Sequence, residues 1–338
     1  MERKLAHVEK IIDIQLIPNA DAIEVASILG WKVVIRKNEF KIGDLCVFCE
    51  VDSILPSAPW SEFLRDKKNP DKQIRLKTVR LRKQLSQGIC FPLSILNNWN
   101  INDTDLQEGT DVTESLGVVK YEPYIPAQLA GKVKGNFPTH LCHKTDQIRI
   151  QSEPKLIDEI KGKQCYISQK IDGTSSTFIH HNGDIHVCSR NLSLLEDENN
   201  MYWKIFHKYS LGDVLSRNGN IAIQAECAGQ GIQKNPLGLS DVQLFVFDVY
   251  DVDKQQYFGY HEMIDFCAKN NLQTVPILKE VEFNYTLDEL LELAKGKYTS
   301  GKDQEGIVIR PIQPIYSETV GGRLSFKVLN NDALLKEE

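Results

Sequence analysis

The segment 122–143 divides the chain: it holds Pro123, Pro126 and Pro138, shows no sustained hydrophobic period, and separates two stretches of unlike pattern. Before it, short β-branched runs succeed one another at 24–28, 32–35 and 45–51. They are cut by Pro18-Asn19-Ala20-Asp21, by Gly30 and by the Ile42-Gly43-Asp44 turn. Short strands at that spacing predict a small all-β barrel or sandwich.

Beyond the junction, strands are expected at 166–170, 176–179, 185–188, 221–225, 242–250 and 306–310, and helices at 197–216, 259–271 and 286–296. The last helix is the best marked. Thr286 and Glu289 form a capping box, Gly296 closes the element, and Leu287, Leu290, Leu291 and Ala294 share a face. Strands outnumber helices and do not alternate strictly with them. The expectation is therefore α+β on antiparallel sheets, not a doubly wound parallel sheet. At 338 residues the chain is long enough for about two domains, placed at 1–122 and 123–338.

An apolar fraction of 41% with 25% charged residues fits a soluble globular class. The chain has no apolar run of about 18 residues to cross a bilayer, and its first residues do not form a secretory signal. Eight scattered cysteines fit free thiols in a reducing compartment, so an intracellular, cytoplasmic protein is expected. Cys46 and Cys49 form a CxxC, but no second pair completes a zinc set. The alternation around them reads as a strand, so both are taken as structural. The net charge of −6 is unevenly spread: 65–83 holds nine Lys or Arg against two Asp, a basic stripe suited to a phosphate backbone.

The sharpest local feature is Lys170-Ile171-Asp172-Gly173 at the end of a strand. It sets an amine at a rigid edge beside a glycine that lets backbone come close. Alone, the tetrapeptide is weak and reads better as a solvated turn lysine. Its weight comes from the ordered elements downstream of it. Ser189-Arg190-Asn191 succeeds a strand, Glu226 comes directly after 221–225, and 245–250 is an apolar strand with Phe245 and Phe247. Glu305 opens 306–310, and Ser325-Phe326-Lys327 comes last.

In this order the elements resemble motifs I, Ia, III, IIIa, IV and V of ATP-dependent RNA and DNA ligases and mRNA capping enzymes. The arrangement is similar to that of the nick-sealing RNA ligases of the Naegleria type, in which an OB domain precedes the catalytic domain. The N-terminal half shares the resemblance through Gly30-Trp31-Lys32-Val33-Val34, Gly43-Asp44 and the run from Arg80 through Gln84 to Gly88. Lys144-Thr145-Asp146-Gln147 with Arg149 extends it.

The resemblance implies an OB-like barrel followed by an adenylyltransferase domain, with ATP as AMP donor and RNA 3′-hydroxyl and 5′-phosphate ends as substrate. It implies neither a membrane nor an obligate protein partner. Lys170 would be the nucleophile. Asp172, Glu226 and Glu305 would surround hydrated Mg2+ or Mn2+, since magnesium keeps its waters. Lys327 would meet the α-phosphate. Phe245, preferred over Phe247, and Val308 would sandwich adenine with Gly173 close by, and Arg190 would hold the ribose or, later, the nucleic-acid end. Lys144 and Arg149 would meet the adenosine and departing phosphates. Relatives place a second basic residue near the last motif lysine; here that position is Ser325, with Arg323 upstream as a helper. Arg310 reads as a strand end facing solvent.

A lysine titrates near 10.4, and lowering it by three units takes about 4 kcal/mol of differential interaction. Burial and neighbouring positive charge, from Lys327 and from a metal with its waters, are expected to supply it. Two other readings compete: a capping guanylyltransferase using GTP, and a non-enzymatic RNA-binding protein.

Overall fold

The computed structural model describes residues 3–99 and 106–336. Clustering of backbone contacts divides it into two compact units. One holds the described residues through Pro123 together with Gln151–Pro154; the other holds Tyr124–Ile150 and Lys155–Ala333.

The first unit is built from short strands, β1 (Ala6–Lys10), β2 (Asp13–Leu16), β3 (Ile23–Ile28), β4 (Trp31–Arg36), β5 (Leu45–Cys49), β6 (Ser53–Leu55), β7 (Ile74–Arg75), β8 (Val79–Leu81), β9 (Gln84–Ser86), β10 (Ile89–Pro92) and β11 (Val119–Lys120). They form the sheets β1-β5-β10, β2-β3-β4 and β11-β6-β7 and the hairpin β8-β9. Trp31, Val33 and Ile35 alternate inward along β4, which buries them with Ile28, Phe48 and Cys46. Cys46 and Cys49 are free and buried, as are the other six cysteines.

The basic stripe is not uniform. Arg65 is engaged by Glu62 at 2.6 Å. Arg75 pairs with Asp52 at 2.8 Å and lies over the Tyr121 ring, 3.6 Å from its centroid. The two-residue turn of β8-β9 is Arg82-Lys83, both at positive φ (49° and 69°). That is a type I′ geometry usually left to Asn and Gly, and β8 is exposed throughout.

The second unit contains α1 (Ala127–Ala130), β12 (Val133–Asn136), β13 (Ile148–Arg149), α2 (Leu156–Ile160), β14 (Gln164–Lys170), β15 (Thr174–His181), β16 (Asp184–Cys188), β17 (Leu192–Leu194), α3 (Met201–Lys208), α4 (Leu211–Arg217), β18 (Ile221–Ala228), β19 (Gln243–Asp251), β20 (Gln256–Tyr257), α5 (Tyr260–Lys269), β21 (Ile277–Glu282), α6 (Leu287–Leu293), β22 (Gly306–Pro311), β23 (Tyr316–Ser317), β24 (Gly322–Arg323) and β25 (Phe326–Leu329). The expected helix over 197–216 is two. Asn200 caps α3 by accepting from Tyr202 and Trp203 N–H at 3.0 and 3.4 Å, and Ser210 at φ 49° breaks the run before α4. The α6 capping box forms as expected.

Two sheets organise this unit, β12-β17-β16-β15-β18-β19-β20 and β13-β25-β22-β14-β21. Most of their pairings are antiparallel; β13 with β25 is parallel. One face of the seven-stranded sheet packs Phe178, Ile223, Ala225, Leu244 and Val246 against α3, α4 and α5. One face of the five-stranded sheet packs Cys165, Ile167, Ile307, Ile309, Phe326 and Val328 against α2 and α6. Each large apolar side chain so buried contributes about 1.5–3 kcal/mol. Strand alternation then sends the intervening residues to the opposite faces, and these hold the candidate site residues.

Candidate active site

On the five-stranded sheet, register sets the positions. Lys170 lies opposite Gly306, Ser168 opposite Val308, and Val308 opposite Lys327, while Arg149 lies opposite Lys327 on the other side. Lys170, Val308 and Lys327 thus share the face turned away from the apolar core. On the seven-stranded sheet Glu226 lies opposite both Ser175 and Phe245.

A register shift at Gln224 and Ala225 leaves Phe247 unmatched on β19. Such a bulge re-aims the side chains beyond it: Asp248, opposite Gln224, comes to the same face as Phe245 and Glu226. Glu226 therefore lies within a continuous strand, not at its end. The two faces meet through a cluster of Ile171, Ala228, Leu237, Phe245, Val275 and Tyr298, with Phe247 at its margin.

Two glycines permit the approach. A Cβ on Gly173 would sit 2.3 Å from the Cys227 carbonyl oxygen and 2.9 Å from Glu226 Cγ. Gly306, at φ 153°, passes so close to β25 that a Cβ would lie 2.1 Å from the Val328 carbonyl oxygen.

Lys170 Nζ donates to Glu305 Oε2 at 2.7 Å, with the lysine side chain 22% exposed. Burial, the largest single influence on this amine, favours its neutral form, but Glu305, Glu226 and Asp172 together outweigh it and hold the pKa above the ordinary lysine value. Among the protein's own groups, then, the carboxylates keep the proton on Lys170, and any lowering must come from a cation bound beside them. Glu226 moves the opposite way. Burial raises it most, Lys170 opposes, and Glu305 and Asp172 add repulsion, so its carboxyl is pushed up to about 8.

Three carboxylates around one ammonium leave excess negative charge, the electrostatic setting a divalent cation suits. Among the described residues no three His, Cys, Asp or Glu side chains group closely enough to coordinate a metal directly. As oxygen donors, Asp172, Glu226 and Glu305 are the candidates to hold such a cation through its waters.

A hydroxyl that sequence reasoning missed ties this corner together. Tyr298 Oη donates to the Lys170 carbonyl at 2.7 Å and accepts from the Asp172 N–H at 3.0 Å and the Glu305 N–H at 3.1 Å. The Gly296-Lys297 and Ser300-Gly301 turn signals around Tyr298 could have marked it as a residue presented by a tight loop.

The other expected residues divide. Phe245 is buried beside Glu226, whereas Phe247 gives its carbonyl to Arg310 at 3.3 Å and carries that guanidinium 5.7 Å from its ring centroid. Arg149 is buried on β13. Lys144 donates to Asn191 Oδ1 at 3.0 Å and Arg190 pairs with Asp146, so those two loops hold each other.

Arg310 does not solvate a strand end; it is 2% exposed and pairs with buried Asp248 at 3.1 Å. Arg323 pairs with the same Asp248 and stacks on the Tyr257 ring at 4.4 Å. Burial works against its charge, and Asp248 more than restores it. Ser325 accepts from Arg310 Nε at 3.1 Å and donates to Gln147. The expected helper is therefore engaged with Asp248. Asp248 escaped notice, and Arg310 reads from sequence as solvent-facing, because each is a single charge inside an apolar strand pattern.

Comparison with known proteins respects the same division. A family model described as an OB-fold domain matches residues 5–93, and one described as RNA ligase matches residues 163–329. No curated protein matches the chain. Among solved structures, a variant of Naegleria gruberi RNA ligase with ATP and Mn is 34% identical at a TM-score of 0.89. The match covers 99% of each chain. A second variant, with AMP and Mn, is 35% identical with a TM-score of 0.90 and the same coverage. The Naegleria gruberi RNA ligase with PPi is 35% identical with a TM-score of 0.89, again over 99% of each chain.

Proposed function

The chain belongs to the RNA ligase family, and from that premise we propose that it seals 3′-hydroxyl to 5′-phosphate RNA ends at nicks, using ATP and a lysyl-AMP on Lys170. In the first step the Lys170 amine attacks the α-phosphorus, an N–P bond forms, and pyrophosphate leaves. AMP then passes to the RNA 5′-phosphate, freeing the lysine. Finally the 3′-hydroxyl attacks that phosphate and AMP departs.

The observation that carries this reading is the 2.7 Å contact of Lys170 with Glu305 in a cluster that also includes Glu226 and Asp172. Asp172, Glu226 and Glu305 would hold Mg2+ or Mn2+ through its waters, and the cation would supply charge neutralisation at the α-phosphate. Lys327, opposite Val308 on the same face, meets the α-phosphate as charge builds in the transition state. Phe245 and Val308 take the two faces of adenine, with Gly173 leaving room beside them. Arg190, Lys144 and Arg149 serve the ribose and phosphates. Arg323 acts through Asp248 rather than by its own reach.

The RNA strand lies on the OB unit, where the exposed Arg82-Lys83 turn and its neighbouring cations supply phosphate contacts. Eight free, buried cysteines favour a reducing cytoplasmic setting. Among the described residues no helix is long and apolar enough to cross a membrane.

Intact-mass measurement after incubation with ATP and Mg2+ tests the first step. Wild type should gain one AMP and Lys170→Ala none. An adduct from GTP instead would support the guanylyltransferase reading, and wild type unchanged by either nucleotide would sink the covalent mechanism. Sealing of nicked RNA duplexes with the phosphate placed on either side of the nick tests the end chemistry.

A further inference from the structure

We infer that Tyr298 is a positioning residue for lysine adenylylation, an inference that rests on the ligase reading above. Its hydroxyl has one proton and two lone pairs, and all are used: the proton on the Lys170 carbonyl, the lone pairs on the Asp172 and Glu305 N–H groups. One atom thus links the backbone of the nucleophile to that of two of the three carboxylates around it.

These residues come from the end of β14, the turn after it and the residue before β22, so nothing within a single element fixes their spacing. Neighbouring contacts set the tyrosine itself. Its ring is 4% exposed within the cluster of Ile171, Phe245 and Val275. Its N–H bonds to the Lys302 carbonyl at 2.9 Å, and Gly301 N–H returns to its own carbonyl at 2.9 Å, closing a tight loop. Gln304 buttresses that loop, donating to the Ala294 carbonyl at 3.0 Å and accepting from Gln169 at 2.7 Å. The hydroxyl is held from behind and does not touch the lysine amine. It acts through where Lys170, Asp172 and Glu305 stand.

Tyr298→Phe keeps the ring and removes only the hydroxyl. Tyr209→Phe is the control, because the Tyr209 hydroxyl also takes a backbone N–H, that of Leu244 at 3.2 Å, but lies outside the site. The readout is the single-turnover rate of lysyl-AMP formation across ATP concentrations, with thermal melting alongside. Misplacement of reacting groups by about 1 Å costs about 100-fold. Tyr298→Phe should therefore lose about 10- to 100-fold in the maximal rate, with half-saturation in ATP and the melting transition near wild type. Tyr209→Phe should be unchanged in rate.

An unslowed Tyr298→Phe overturns the inference while leaving the ligase reading intact. So does a variant that loses ATP saturation and cooperative melting together, which would mark the hydroxyl as merely structural. No adduct in wild type removes the ligase premise, and this inference with it.

Discussion

Lys170 Nζ reaches Glu305 Oε2 at 2.7 Å, Lys170 lying opposite Gly306 on the neighbouring antiparallel strand, so the proposed nucleophile is held in an ion pair. An amine attacks only when neutral, and here Glu305, Glu226 and Asp172 outweigh burial to keep its proton on. Removing that proton requires the carboxylates to be drawn to another cation.

Adduct formation should therefore depend on a divalent cation. We expect chelation to abolish lysyl-AMP formation and added Mg2+ or Mn2+ to restore it. Glu305→Gln removes the carboxylate nearest the amine; although this relaxes the grip on the proton, it also strips charge from the cation's surroundings. A loss of about 100-fold or more in single-turnover rate is expected. A Glu305→Gln enzyme as fast as wild type, or adduct formation in excess chelator, would contradict this account.

Gly173→Ala tests the close approach of the lysine loop to β18. The added methyl would lie 2.3 Å from the Cys227 carbonyl oxygen and 2.9 Å from Glu226 Cγ, so the loop must move away. Overpacking of this kind costs about 1–3 kcal/mol. Because the loop carries Asp172 and adjoins Lys170, adenylylation should fall by about 100-fold while the melting temperature drops only slightly. Quenched-flow measurement of the adduct beside a melting curve separates the two effects.

Asp248 is 3% exposed and answers two guanidinium groups, Arg310 at 3.1 Å and Arg323. Asp248→Asn would leave both cations buried without a counter-charge, at a cost of about 3–5 kcal/mol. Denaturant titration should show the loss. Arg310→Met in the same background should recover part of it, because one of the stranded charges is then gone.

The strands and α6 were readable because β-branched runs and a Thr–Glu capping box act locally. The order of motifs brought Lys170, Asp172, Glu226, Glu305 and Lys327 into view before any coordinates. The features that escaped depend on register. The bulge at Phe247 turns Asp248 toward Arg310, and no period in 242–250 announces it. The pull of the protein's own groups on Lys170 was not legible either, because it depends on how many carboxylates stand within reach of the amine. Arg323 was legible as a cation but not as Asp248's partner. That pairing joins residues from two sheets, 75 positions apart.

His7 offers a pH test in the first unit. Its Nδ1 lies 2.7 Å from Glu9 Oε1 and its Nε2 3.5 Å from Glu50 Oε1, while Arg3 Nε donates to Glu50 at 2.7 Å. Burial disfavours the imidazolium, but Glu50 and Glu9 overcome it and raise His7 to about 9. Burial likewise opposes the Glu50 charge, yet His7 and Arg3 bring that carboxyl down to about 2. A histidine whose folded pKa exceeds its unfolded value of about 6.5 stabilises fully below that value and loses the contribution as pH rises toward 9. A carboxylate lowered from its usual range does the reverse, stabilising above about 4.3 and losing the contribution as pH falls toward 2. Stability of this unit should therefore form a plateau between about pH 4.5 and 6.5 and decline on both sides, the alkaline loss approaching about 3 kcal/mol. His7→Gln should lower the plateau and flatten the alkaline limb, leaving the acid limb in place through Arg3. Denaturant titrations from about pH 2 to 10, with hydrogen exchange at amides of β1 and β5, read this directly, and an alkaline limb that persists in His7→Gln would assign it to another group.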